Sequence, residues 1–80
     1  MQIAIKYFGK ITEFTQKKEE LISIEGDSVT LFDVETRLKE KYPKLTTTVY
    51  AFAINQTLVR GNMPVKDFDE IALLPPFAGG

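Results

Sequence analysis

One stretch near the middle of the chain sets the frame for the rest. Leu31, Val34, Leu38 and Tyr42 recur at i, i+3, i+7 and i+11, so they line one stripe of a helix over about 31–42. Thr30 stands at the N-cap position and Asp33 three residues on, a capping-box spacing with Asp in place of the usual Glu. Glu35 and Lys39 form an i,i+4 pair on the outer side. Lys39 and Lys41 suit the negative end of the helix dipole, and Pro43 stops the helix. A single long helix has one apolar stripe to bury. The partner for that stripe must come from the flanking segments.

Those segments alternate with period two. In residues 2–8, Ile3, Ile5 and Tyr7 share one face, while Gln2, Ala4, Lys6 and Phe8 share the other. Ile11 and Phe14, three apart, suit a short helical turn. Residues 19–25 alternate again, with Ile22 and Ile24 inward, and Gly26-Asp27 marks a turn. Residues 49–54 (VYAFAI) read as a strand. Asn55-Gln56 reads as a two-residue hairpin turn and Thr57-Leu58-Val59 as its short partner. Pro64 to Asp69 reads as a polar connection. Ile71 to Leu74 is a final strand that Pro75-Pro76 cannot continue.

The order β–(short α)–β–α–β–β–β predicts an α+β, two-layer fold. Its best match is a β-grasp (ubiquitin-like) arrangement: a mixed sheet of about five strands on one main helix. The first and last strands are then parallel neighbours at the centre of the sheet. Residues 1–74 form the domain and residues 75–80 an extended, flexible C-terminal tail. Eighty residues suffice for one modest core, and 44% hydrophobic content is ordinary for a globular chain.

Composition excludes several functions. Ten basic against eleven acidic residues leave a net charge of −1, which argues against a nucleic-acid binder. Lys17-Lys18 and the following Glu19-Glu20 read as solvated loop charges, as do Asp67, Asp69 and Glu70. No run approaches the roughly 20 apolar residues that span a bilayer. The opening MQIAIKYF lacks the features of a leader peptide, and a soluble, cytoplasmic protein is expected. With neither cysteine nor histidine, the chain lacks a thiolate, the commonest general base and the commonest metal ligand. No metal site and no bound cofactor are expected, and an autonomous enzyme is disfavoured.

Two features remain. If the helix covers one face of the sheet, Phe8, Leu58 and Leu74 fall on the other. Clustered exposed apolar side chains mark partner surfaces. The second feature is the end, LLPPFAGG. At ordinary glycine usage a chain ends Gly-Gly about 0.5% of the time. Gly79 and Gly80 have no Cβ and can thread a narrow channel to present a carboxylate. Pro75-Pro76 favour an extended start that projects the tail, and Phe77 and Ala78 can line the channel.

Residues 53–80, AINQTLVRGNMPVKDFDEIALLPPFAGG, resemble the C-terminal third of the ThiS/MoaD-type ubiquitin-like sulfur carriers, the family that includes the small subunits of molybdopterin synthase. Asn55, Pro64, Asp67, Asp69, Glu70, Ala72, Pro75, Pro76, Gly79 and Gly80 fit the pattern. The opening IAIKYFGKITEF extends the resemblance over nearly the whole chain. Phe68 departs from it by standing where the family usually has glycine. A turn that stays at negative φ, or a reshaped loop, is expected there.

The resemblance implies a cycle. An E1-like enzyme adenylates the Gly80 carboxylate with ATP, and a sulfur donor converts it to a thiocarboxylate. The tail then enters the large subunit of molybdopterin synthase, in a heterotetramer, and gives its sulfur to the cyclic pyranopterin precursor. Phe8, Leu58, Leu74, Pro75, Pro76, Phe77 and Ala78 are then partner-binding. Alternatives are a carrier for thiamine synthesis, a carrier for tRNA thiolation or protein conjugation, and a β-grasp interaction module that carries nothing.

Overall fold

A computed structural model describes residues 1–76. The elements are β1 (Gln2–Tyr7), α1 (Ile11–Thr15), β2 (Glu19–Ser23), α2 (Leu31–Lys41), a 3₁₀ helix (Pro43–Thr47), β3 (Ala51–Ile54), β4 (Thr57–Val59) and β5 (Glu70–Leu74). The five strands form one sheet in the order β2-β1-β5-β3-β4. β1 and β5 are parallel at its centre, and the other pairs are antiparallel. This is the mixed sheet on one main helix that the periodicity predicts, and the fold is a ubiquitin-like β-grasp.

Parallel strands are buried on the face their crossovers cover. Ile3, Ile5, Ile71 and Leu73 are fully buried under α2, whose Leu31, Val34 and Leu38 are at most 1% exposed. The helix start is closed by more than its cap. Thr30 N–H donates to Asp33 Oδ2 at 2.8 Å, and Asp33 N–H donates back to Thr30 Oγ1 at 3.4 Å. The free N–H groups of the first turn also find partners across the chain. Leu31 N–H donates to the Met63 carbonyl at 2.8 Å and Phe32 N–H to Asn62 Oδ1 at 2.9 Å. The segment before β5 is therefore tied to α2 and is not simply a polar connection. Val65 within it is 4% exposed and donates its N–H to the Val29 carbonyl.

The helix expected over about 31–42 runs from Leu31 to Lys41 with Tyr42 as its cap, and Pro43 stops it as expected while opening a 3₁₀ helix that seats Leu45 in the core at 1% exposure. Proline suits a helix's first position, where no N–H is needed. Tyr42 joins the two as the cap of both, with its ring edge-on to Tyr7 at 5.8 Å.

Two expectations need correcting, one at Phe68 and one at Glu20. First, Phe68 has φ 66°. Asp69 N–H donates to the Lys66 carbonyl at 3.1 Å, so residues 66–69 form a turn whose third residue needs positive φ, as in type II turns. Tertiary bonds hold it there. Phe68 N–H donates to the Gln2 carbonyl at 2.7 Å, Gln2 N–H to Asp67 Oδ1 at 2.7 Å, and Lys66 N–H to Asp69 Oδ2 at 2.8 Å. Asp67 and Asp69 are thus turn-forming acceptors, not idle charges.

Second, Glu20 is no solvated loop charge. It lies in β2 on the side of the helix, with its side chain 9% exposed. Oε2 accepts from Tyr7 Oη at 2.5 Å and Tyr42 Oη at 2.6 Å. Oε1 accepts from Lys41 Nζ at 2.5 Å and Lys17 Nζ at 3.2 Å.

Candidate functional site

The hairpin and the central pair position the open face. Asn55 and Gln56 take φ 49° and 71°, the two positive values of a type I′ turn, which fixes the β3–β4 register at Ile54↔Thr57. Leu58 then lies opposite Ala53, and Ala53 opposite Ala72 of β5. Ala51 lies opposite Leu74. Because side chains alternate along each strand, these residues share the face opposite the buried Ile71 and Leu73. Phe8 follows β1, and its N–H donates to the Leu73 carbonyl at 3.2 Å, which continues the β1–β5 ladder by one residue. It therefore stands beside Leu74.

The three side chains inferred from phase alone are on this face. Phe8 is 43% and Leu58 60% exposed, and Leu74 is half-buried among its neighbours. Ala51, Ala53 and Ala72 pave the floor between them, leaving a shallow apolar surface with large side chains at its rim. Phase could not identify these alanines as a floor, because cross-strand register was needed. One charged pair borders it. Lys6 Nζ lies 2.7 Å from Glu70 Oε1, on neighbouring strands of this face. The hydrogen bond and charge of Glu70 raise the Lys6 pKa. Leu21, 69% exposed opposite Ala4 on β2, adds an apolar side chain that the sequence reading passed over.

β5 ends where this face meets a groove of about 910 Å³. Phe8, Phe14 and Val49 give its apolar wall, Lys10 and Lys44 its charged rim, and Pro75 and Pro76 close one side. Pro75 and Pro76 are both exposed. The expectations for Phe77, Ala78, Gly79 and Gly80 lie outside the described residues.

The one carboxylate among the described residues with a strongly shifted pKa serves the fold. Burial of Glu20 disfavours its charge, but hydrogen bonds from Lys41, Tyr42, Tyr7 and Lys17 outweigh that and lower its pKa to about 2. A carboxylate so committed cannot trade protons near neutrality. Burial, then the bond to Glu20, pushes the Tyr7 phenol well above its usual range. Among the described residues, no cluster of three or more His, Cys, Asp or Glu could hold a metal ion, and no helix is long and apolar enough to cross a membrane.

Comparison with known proteins meets this geometry. The sequence profile of the ThiS family matches residues 5–80. A molybdopterin synthase sulfur carrier subunit from Dictyostelium discoideum is 34% identical over 83 residues, covering 99% of this chain and 96% of the relative. One of the same name from Chlamydomonas reinhardtii is 33% identical over 84 residues and the full length of both. Among solved structures, subunit 1 of a molybdopterin converting factor from Pyrococcus furiosus superposes with a TM-score of 0.86 at 21% identity, over 95% of this chain and 98% of that one. The complex of subunits 1 and 2 of the molybdopterin-converting factor from Helicobacter pylori contains a chain similar at 32% identity and TM-score 0.72, over the full length of both.

Proposed function

The chain belongs to the ThiS family, and from that premise we propose that it is the sulfur-carrier subunit of a molybdopterin synthase. One observation carries the reading beyond family membership: the exposed apolar face and the exit of β5 adjoin, at Phe8, Leu74 and Pro75. A partner that docks on the face thereby receives the tail beside it.

In this reading the Gly80 carboxylate attacks the α-phosphorus of ATP held by an E1-like enzyme, expels pyrophosphate and becomes an acyl adenylate. A sulfur donor displaces AMP and leaves a thiocarboxylate. The carrier then docks on the large subunit, in a heterotetramer, and the tail delivers sulfur to the cyclic pyranopterin precursor. Phe8, Leu58 and Leu74 bind the partners. Pro75, Pro76, Phe77 and Ala78 lead Gly79 and Gly80 into each active site. The carrier binds no cofactor and needs no histidine or cysteine, because its partners supply the acid–base and sulfur chemistry.

The test is intact-mass analysis after incubation with an E1-like enzyme, ATP and a sulfur source. Exchange of one oxygen for sulfur, confined to the C-terminal peptide and lost on deletion of Gly80, is the expected result. No exchange with several such enzymes favours an interaction module. A thiocarboxylate that feeds only thiazole synthesis or tRNA thiolation assigns the carrier to another product.

A further inference from the structure

The carrier reading says what the tail does but not what aims it. β5 stops at Leu74, and two prolines cannot extend the ladder. The next residue, Pro75, rests on a corner formed by Phe8 and Gly9. A Cβ placed on Gly9 would stand 3.4, 3.6 and 3.7 Å from the Cγ, Cβ and Cδ atoms of Pro75. The proline ring thus faces the side of Gly9 where a side chain would begin, and a methyl group there would meet it at ordinary contact distance. Gly9 has φ 61°, a conformation that a β-branched residue adopts only under strain.

The corner is itself fixed from below. The Gly9 carbonyl accepts from Thr12 N–H at 3.1 Å and Thr12 Oγ1 at 2.7 Å, and the Phe8 carbonyl accepts from Ile11 N–H at 3.3 Å. Ile11, 2% exposed, anchors this first turn of α1 in the core. Phe8 N–H holds the Leu73 carbonyl from the other side. The corner is therefore a rigid seat, bonded to both the core and β5. Among the described residues, Pro75 supplies the three atoms nearest to a Cβ placed on Gly9.

We infer that Gly9 is a positioning residue for the tail: its bare, left-handed α-carbon seats the Pro75 ring and so fixes the direction in which the chain leaves the sheet at Pro75-Pro76. This rests on the carrier reading. A carboxylate that must reach a reacting centre through a narrow channel gains from a fixed starting direction, because misplacing a reacting group by about 1 Å can cost on the order of a hundredfold in rate. Leu58 and Leu74 of the docking face lie on β4 and β5, away from Gly9 in the chain, so carrier affinity and tail delivery can be measured separately.

The experiment is a double-mutant cycle on the full chain with Gly9→Val and Pro75→Ala, read by the rate of Gly80 thiocarboxylate formation with an E1-like enzyme. Melting curves confirm that each variant is folded. Gly9→Val is expected to lower kcat about tenfold while the KM for the carrier stays within about twofold. In the Pro75→Ala background the same change is expected to cost less than about twofold, because the ring it displaces is gone. Gly9→Ala, whose methyl fits against Pro75, should fall between Gly9→Val and the parent. Effects of Gly9→Val and Pro75→Ala that multiply independently overturn the proposal. So does a loss carried by KM alone, or a folded Gly9→Val at the parent's rate. A parent chain that takes up no sulfur is a different result and overturns the carrier reading itself.

Discussion

Replacing Glu20 by glutamine isolates the largest electrostatic commitment in the fold. The carboxylate accepts four hydrogen bonds, two on each oxygen, while its side chain is only 9% exposed. Glutamine keeps the shape but offers one oxygen, so at least two donors lose their acceptor. A pKa held at about 2 against an ordinary 4.5 corresponds to about 3.5 kcal/mol at ~1.4 kcal/mol per unit. Lys17 and Lys41 are each 46% exposed and regain water when the charge goes. Screening of that kind brings the expected loss to about 1.5 kcal/mol.

The pH dependence follows from the direction of the shift. The folded-state pKa is depressed, so the stabilisation is complete above about pH 5 and is lost as pH falls towards 2. Urea unfolding measures this directly. At pH 7, Glu20→Gln should lower the midpoint by roughly 1.5 M, taking a slope of about 1 kcal/mol/M for so small a domain. The gap between parent and variant should close between about pH 5 and pH 2. A gap that is absent at pH 7, or that persists unchanged at pH 2, refutes the account of Glu20 as an ionised, saturated acceptor.

Two further substitutions probe the turn and the docking face. Phe68→Gly removes a strained φ from a side chain that is 76% exposed, so the domain should gain about 0.5–1 kcal/mol after allowing for the freer unfolded chain, measured by the shift in melting temperature. Leu58→Asp, on a residue 60% exposed, should change the melting temperature by only a few degrees yet weaken binding to the large subunit proposed as its partner by about 30-fold or more by calorimetry, and an unchanged affinity would remove Leu58 from the proposed interface.

The parts of the fold legible in the sequence were those governed by local rules. Thr30 with Asp33 predicts a capping box, and Asn55-Gln56 a two-residue turn, because each motif's bonds lie within four residues. Alternation places Ile3 and Ile5 inward and Phe8 outward for the same reason. What escaped depends on partners distant in sequence. Glu20 reads as solvated until Tyr7, Tyr42 and Lys41 converge on it from three elements. Phe68 is expected at negative φ until Gln2 supplies the bonds that hold it otherwise. Val65 lies in a run that looks polar, yet its backbone joins Val29 and its side chain fills the core. At the candidate site, phase identifies Phe8, Leu58 and Leu74, whereas the alanine floor and the Gly9–Pro75 seat depend on which strands are neighbours.

The parallel pairing of β1 with β5 has a consequence for how the protein is made. Ile5 and Ile71, side by side at the centre of the sheet, are more than sixty residues apart in the chain. Contacts of such separation form late and slowly, since a long loop must close before they repay its entropy. During synthesis β1 has no central neighbour until β5 has cleared the ribosome. A polypeptide cut short before Glu70 leaves the middle of the sheet open and Ile5 without its neighbour Ile71. The sheet therefore closes only on chains long enough to reach the root of the tail.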